Sequence, residues 1–169
     1  MKRLTLSPIA AALVLTSTVN LAHAANVEVQ WQDPAKFSDM RASNESQSRF
    51  EQRTMNTLTG FFQEEAAKLP EGQTLRITVN NVDLAGEVEY FHRAHPFGVR
   101  VVRRVYSPSM TLSYELLDAD KAVVSAGDAR LRDVGFDLST LHSLNRGPLL
   151  YEGRLVKDWM RKTFESTAS

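Results

Sequence analysis

Between Val27 and Trp31, VEVQW, the apolar side chains fall at Val27, Val29 and Trp31, the period of two of a half-buried strand. Gln32-Asp33-Pro34 breaks the run, because proline donates no ladder hydrogen bond and restricts the residue before it. Phe37, in the irregular stretch that follows, is expected to anchor in the core. From about Ser46 to Leu69, Phe50, Leu58, Phe61, Phe62, Ala66 and Leu69 recur at three and four residues, with Thr54 in the same row, and predict one stripe of a helix. Ser48-x-x-Glu51 has the form of a capping box that would start this helix at Ser48, with Ser43, Asn44 and Ser46 as competing caps. Pro70-Glu71-Gly72 ends it. Gly60 inside it costs about 1 kcal/mol against alanine, so a close helix-to-sheet contact is expected there.

Thr74 to Leu84, TLRITVNNVDL, alternates as Leu75, Ile77 and Val79, then resumes out of phase at Val82 and Leu84. The slip at Asn80-Asn81 predicts a bulge, since one inserted residue returns the apolar side chains to the same face. Three further strands are predicted at Val99–Val105, Met110–Leu116 and Val123–Leu131, joined through Ser107-Pro108-Ser109 and Asp118-Ala119-Asp120-Lys121. In MTLSYEL the inward set is Met110, Leu112, Tyr114 and Leu116. A last helix, about Leu149 to Phe164, puts Leu155, Val156, Trp159, Met160 and Thr163 on one face and ends on a basic turn. The fold class expected is α+β: an antiparallel, meander-rich sheet of about five strands, two amphipathic helices on one face, and the other face at least partly wet.

The N-terminus adds an address. Lys2 and Arg3 precede an apolar run from about Ile9 to Val19, and Ala22-His23-Ala24 follows as a small-x-small cleavage signal. That order is a secretory signal peptide over residues 1–24; the apolar run is short of the roughly 20 residues that a membrane-spanning helix needs. Cleavage leaves residues 25–169, 145 of the 169, as one α+β domain. It also leaves 18 basic against 20 acidic residues, so no global field favours nucleic acid or an anionic membrane. The chain has no cysteine, which excludes disulfides, thiol catalysis, thiolate metal sites and lipid attachment through cysteine. No later apolar run is long enough for a transmembrane helix, and a soluble mature protein is expected.

Several motifs stand in a fixed order: Trp31-x-Asp33-Pro34-x-x-Phe37-x-Asp39, Leu69-Pro70-x-Gly72-x-x-Leu75, Asp83-Leu84-Ala85-Gly86-Glu87, Gly127-x-x-x-Leu131-x-Asp133, and Leu150-Tyr151-Glu152 followed by Trp159. Together they resemble a family of small exported proteobacterial proteins catalogued only as a domain of unknown function. The resemblance covers nearly all of the chain after residue 24 and implies a periplasmic address. It supplies no activity, ligand or catalytic residue. It departs at Ser107-Pro108-Ser109-Met110, where a proline-arginine pair is the family's habit.

Candidate chemistry is sparse. There is no Gly-x-Ser-x-Gly, no phosphate-binding glycine loop and no dinucleotide fingerprint. His92-x-x-His95, with Glu87 and Glu89 nearby, offers ligand types for Zn²⁺, but the spacing is not that of the helical zinc-hydrolase motif, and a solvated loop over 87–98 is the plainer reading. Arg100, Arg103 and Arg104, with Arg93 upstream and Arg130 and Arg132 on a later strand, form the densest basic region; one face gathering Arg100 or Arg104 with Arg130 would offer bidentate donors to a carboxylate or phosphate. The plainer reading pairs these arginines with Glu115, Asp128 or Glu89 across the sheet. Among the carboxylates of the motifs, Asp33, Asp83 and Asp133 suit turns and strand ends, and DLAGE reads mainly as a strand exit: Asp83 caps, Gly86 permits positive φ or close approach, and Glu87 opens a hinge into the histidine loop.

Two functions are consistent with these residues. The favoured one is a non-enzymatic periplasmic module that binds an unidentified protein or small ligand through the wet sheet face and the 87–98 loop, with Asp83, Gly86, Glu87, Arg100, Arg104 and Arg130 as contacts and no cofactor. The alternative is a small metal-dependent hydrolase built on His92 and His95 with nearby carboxylates.

Overall fold

A computed structural model of the chain describes residues 25–90, 98–138 and 147–164. In chain order the elements are β1 (Asn26–Trp31), α1 (Gln47–Ala66), β2 (Thr74–Asp83), β3 (Glu87–Glu89), β4 (Val99–Val101), β5 (Ser109–Leu117), β6 (Val123–Arg132) and α2 (Leu150–Phe164). The principal sheet has the order β1-β2-β5-β6. It is mixed rather than all-antiparallel, because β1 runs parallel to β2 while β2, β5 and β6 are antiparallel neighbours. A parallel pair needs a crossover, and α1 lies between those two strands in the chain to supply it. The strand expected over Val99–Val105 stops at Val101 and pairs with Glu87–Glu89 in a separate two-stranded sheet. Arg103 and Arg104 fall in the turn after it, where the Tyr106 amide donates to the Arg103 carbonyl at 3.0 Å.

The phase slip in β2 is a register shift. Val79 faces Leu112 and Asn81 faces Thr111, so the pairing skips at Asn80, and Leu75, Ile77, Val79 and Val82 are all buried. The polar pair at the slip is used: the Asn80 side chain donates to Ser113 Oγ at 3.0 Å, and Asn81 Nδ2 donates to Ser38 Oγ at 2.9 Å. Asn81 Oδ1 also accepts from the Ser38 amide at 2.8 Å, which holds the segment after β1 against the bulge.

Both helices cover one face of the sheet, α1 toward β1 and α2 toward β6. α1 buries Thr54, Leu58, Phe62 and Ala66 as its stripe requires. Its N-cap is Ser46, with no side-chain cap, and the Ser48 capping box does not form. Gln47 intervenes, donating from Nε2 to the Met40 carbonyl at 2.6 Å and to Glu51 Oε1 at 2.8 Å. Gly60 is not the point of close approach, for a Cβ there would meet nothing within 4 Å. That role belongs to Gly153 of α2, where a Cβ would stand 3.0 Å from the Phe61 ring. α2 buries Leu155, Val156, Trp159 and Met160. Trp159 lies edge-on to Phe62 at 6.1 Å and to Tyr114 at 5.5 Å, joining both helices to the sheet. Each large side chain so buried contributes about 1.5–3 kcal/mol. Among the described residues no helix is long and apolar enough to cross a membrane.

Candidate functional site

The motif residues meet where β2 ends. Phe37 and Met40 are buried in the core and draw the segment between them along the end of β2. The Asp39 amide donates to the Val82 carbonyl, and the Leu84 amide to the Asp39 carbonyl, both at 3.2 Å, which places Asp39 in a parallel bridge with Asp83. One residue on, the Ala85 amide donates to Glu152 Oε1 at 2.8 Å, in the first turn of α2. Gly86 follows at φ +82°, a conformation that favours glycine, and a Cβ there would stand 2.4 Å from the Val101 carbonyl oxygen. Its amide donates to the Tyr106 carbonyl at 3.0 Å. Arg100, opposite Val88 in the small sheet, closes the arrangement. Its guanidinium donates to both Asp39 oxygens, at 2.7 and 3.2 Å, to the Gly86 carbonyl at 3.3 Å and to the Arg41 carbonyl at 3.2 Å. DLAGE is therefore the crossing point of β2, the small sheet, α2 and the segment after β1.

Three carboxylates surround this guanidinium, and two are shifted. Burial pushes the Glu152 carboxyl up, against the opposing pull of the Ala85 amide, its own amide and Arg100. Asp83 is also raised, by desolvation first and by the charge of Asp39 second, with Arg132 and Arg100 opposing. A raised carboxyl in a recess is one mark of a general acid. Here, however, the Asp39–Arg100 pair is spent on its own bonds, and Glu152 Oε1 on a backbone amide. The arrangement is a clasp that orients four segments; among its carboxylates, the Asp83 side chain has no hydrogen bond or ion pair among the described residues.

The structure thus joins Asp83, Gly86 and Arg100, and separates the others by function. Glu87 starts β3 and accepts a hydrogen bond from the Tyr106 hydroxyl. Among the arginines, Glu89 holds Arg103 at 2.5 Å, a partner the plainer reading named, and Asp137 holds Arg104 at 2.8 Å, while Arg130 stands on β6 in register with Thr111. His92, His95 and most of the 87–98 loop lie outside the described residues, and among those described no group of three metal-ligating side chains occurs. Asp133 turns the chain as expected, accepting from the Gly135 amide at 3.0 Å, and also pairs with Arg154. Glu152 was legible as a carboxylate within an apolar stripe, spaced at three and four residues from Leu155 and Val156.

The second candidate is the face that the helices leave uncovered. Cross-strand register lines up Gln30, Thr78, Ser113 and Asp128 in one row and Glu28, Arg76, Glu115 and Ala126 in the next. The two rows line a shallow concavity of about 610 Å³. Arg76 is held at 2.9 Å by Glu28 and at 3.9 Å by Glu115, so its charge is shared between two carboxylates and the lining keeps a negative excess with Asp128. Hydroxyls of Thr78 and Ser113 and the amide of Gln30 supply donors and acceptors between the charges.

Residues 25–162 match the model of a family described as a protein of unknown function (DUF3016). No curated protein matches the chain. Among solved structures, a dodecamer of a PelC variant from Paraburkholderia phytofirmans is similar at 12% sequence identity, over 81% of this chain and 86% of that one, with a TM-score of 0.30.

Proposed function

We propose, for a chain that belongs to the DUF3016 family of proteins of unknown function, a binding role exercised in the periplasm: the wet face of the sheet takes a polar, positively charged ligand or peptide segment. The carrying observation is the concavity over Glu28, Arg76, Ser113, Glu115 and Asp128, with carboxylates in excess over the one guanidinium. A cation entering between Glu28 and Glu115 would compete with Arg76 for carboxylates that are half-exposed, and so would lose little solvation on binding. The periplasmic address rests on the signal-peptide pattern of residues 1–24, and the family match beginning at residue 25 supports a domain that starts there.

Amide chemical shifts during titration with oligolysine test this reading. Perturbations should centre on Gln30, Thr78 and Ser113, weaken as salt is raised, and fall at least about tenfold in affinity for Glu115→Lys, where like charge replaces attraction. Shifts confined to other elements, or none at all, would rule the reading out.

A further inference from the structure

The ion pairing of the wet face stops one strand short of its edge. Glu28, Arg76 and Glu115 form a charge ladder across β1, β2 and β5, but the next position, on β6, is Ala126. β6 presents three charges on this face: Arg132 donates to Ser107 Oγ at 3.1 Å, while Asp128 and Arg130 lie opposite the neutral Ser113 and Thr111. Both are exposed, and neither has an ion pair or side-chain hydrogen bond among the described residues. β6 is also a terminal strand of the sheet, ten residues long and free of proline, with Val123 and Val124 more than half exposed. A long edge of this kind offers a row of unpaired backbone donors and acceptors to another strand.

We propose that the occupant of this edge is a second copy of the same chain, its β6 added antiparallel about a two-fold axis at Ala129. The charges select both the partner and the register. With Ala129 opposite Ala129, Asp128 faces Arg130 of the second copy and Arg130 faces its Asp128, so both unpaired charges are satisfied by the same sequence read backwards. Sliding the pair by two residues one way sets Asp128 against Asp128; sliding it the other way sets Arg130 against Arg130 and leaves Asp128 only Arg132, a donor that Ser107 already engages. The same register carries Val124 of each copy to the end of the other's strand, where Val134 is 70% exposed. The result is one sheet of eight strands, with the two concavities on a common face. This proposal shares Asp128 with the binding role but does not rest on it, since the edge of β6 carries it and Glu28 and Glu115 line the concavity without Asp128.

Sedimentation equilibrium of the purified, processed protein provides the test. The wild-type protein should dimerise within the micromolar range. Asp128→Arg and Arg130→Asp, each placing like charges opposite, should each weaken the dimer by about tenfold or more while leaving the melting temperature unchanged at concentrations low enough that wild type is monomeric. Mixed in equal amounts, the two variants should pair with each other, because one strand then carries only arginine and the other only aspartate at the facing positions; the double exchange in one chain should restore a homodimer. A monomer throughout, a dimer indifferent to both single changes, or variants that melt normally yet stay apart on mixing would each overturn the proposal. Oligolysine binding is read separately, so failure of one inference leaves the other standing.

Discussion

Gly86 holds a backbone conformation that a side chain resists, and the Val101 carbonyl occupies the space where a Cβ would go. Gly86→Ala should therefore cost at least about 2 kcal/mol, combining positive-φ strain with a clash against backbone that cannot rotate away. Gly60, in the interior of α1 with open space around it, should behave oppositely: Gly60→Ala should stabilise by about 0.5–1 kcal/mol through helix propensity and a less free unfolded chain. Denaturant midpoints of the two variants, displaced in opposite directions, check the contrast. Glu152 poses a question of charge. Its folded pKa is raised above its ordinary value of 4.5, so the folded state holds the proton to higher pH than the unfolded state does. That difference favours the fold below the ordinary value and is lost as pH rises from there through the raised pKa. Glu152→Gln keeps an acceptor for the Ala85 amide and removes the buried charge; its stability should be no lower than wild type at neutral pH and should decline less as pH rises above the ordinary carboxyl value of 4.5. Glu152→Ala orphans the amide and should be less stable than Glu152→Gln by about 1–3 kcal/mol at every pH. Melting curves across that range distinguish the two, and equal slopes for wild type and Glu152→Gln would remove Glu152 as the source.

At the scale of elements, Arg100 is what fixes the small sheet to the end of β2. The Arg100 and Asp39 side chains are only 20% and 16% exposed, so Arg100→Ala would leave Asp39 beside Asp83 without its ion-pair partner and take a donor from the part-buried Gly86 carbonyl. A loss of about 2–3 kcal/mol is expected, less than for a fully buried pair because some solvent reaches it; a loss below about 1 kcal/mol in urea unfolding would mean that the clasp is ornamental. The elements also show what periodicity can convey. The β2 bulge was legible because an inserted residue shifts the apolar phase on both sides of Asn80-Asn81. The stripes of α1 and α2 were legible because packing demands three and four residue spacing. The small sheet was not: three-residue strands contain too little alternation to register, and the basic run after Val99 looked like its continuation. Nor was the parallel β1, since a strand's own pattern does not name its neighbour. Of the clasp, the sequence shows Asp83, Gly86 and Glu152 as residue types in odd places, but the Asp39–Arg100 bond joins positions 61 residues apart and only the fold reveals it.

In the molecule as a whole, a chain without cysteine is held by one continuous core running from Phe37 and Met40 through Phe62, Ile77 and Leu112 to Trp159. The sheet that backs it is assembled from connections of very different length. β5 and β6 are joined through the tight turn at Asp118, whose carboxylate accepts from the Asp120 and Ala122 amides at 2.9 Å. β1, by contrast, begins at Asn26 and finds its partner only at Thr74. Loop closure over that distance must be met before any contact rewards it, so time enters the design: the β5–β6 hairpin forms early and β1 docks late. Leu112→Ala in β5 should slow folding, with φ above about 0.5, whereas Val29→Ala in β1 should chiefly hasten unfolding, with φ below about 0.3. Stopped-flow chevrons of the two variants would show the reverse pattern if β1 and α1 were the nucleus. A ribosome or export channel delivers β1 first, and it then waits, with Val27, Val29 and Trp31 uncovered, until some fifty further residues have emerged; the interval makes this strand the natural point of contact for an escorting chaperone.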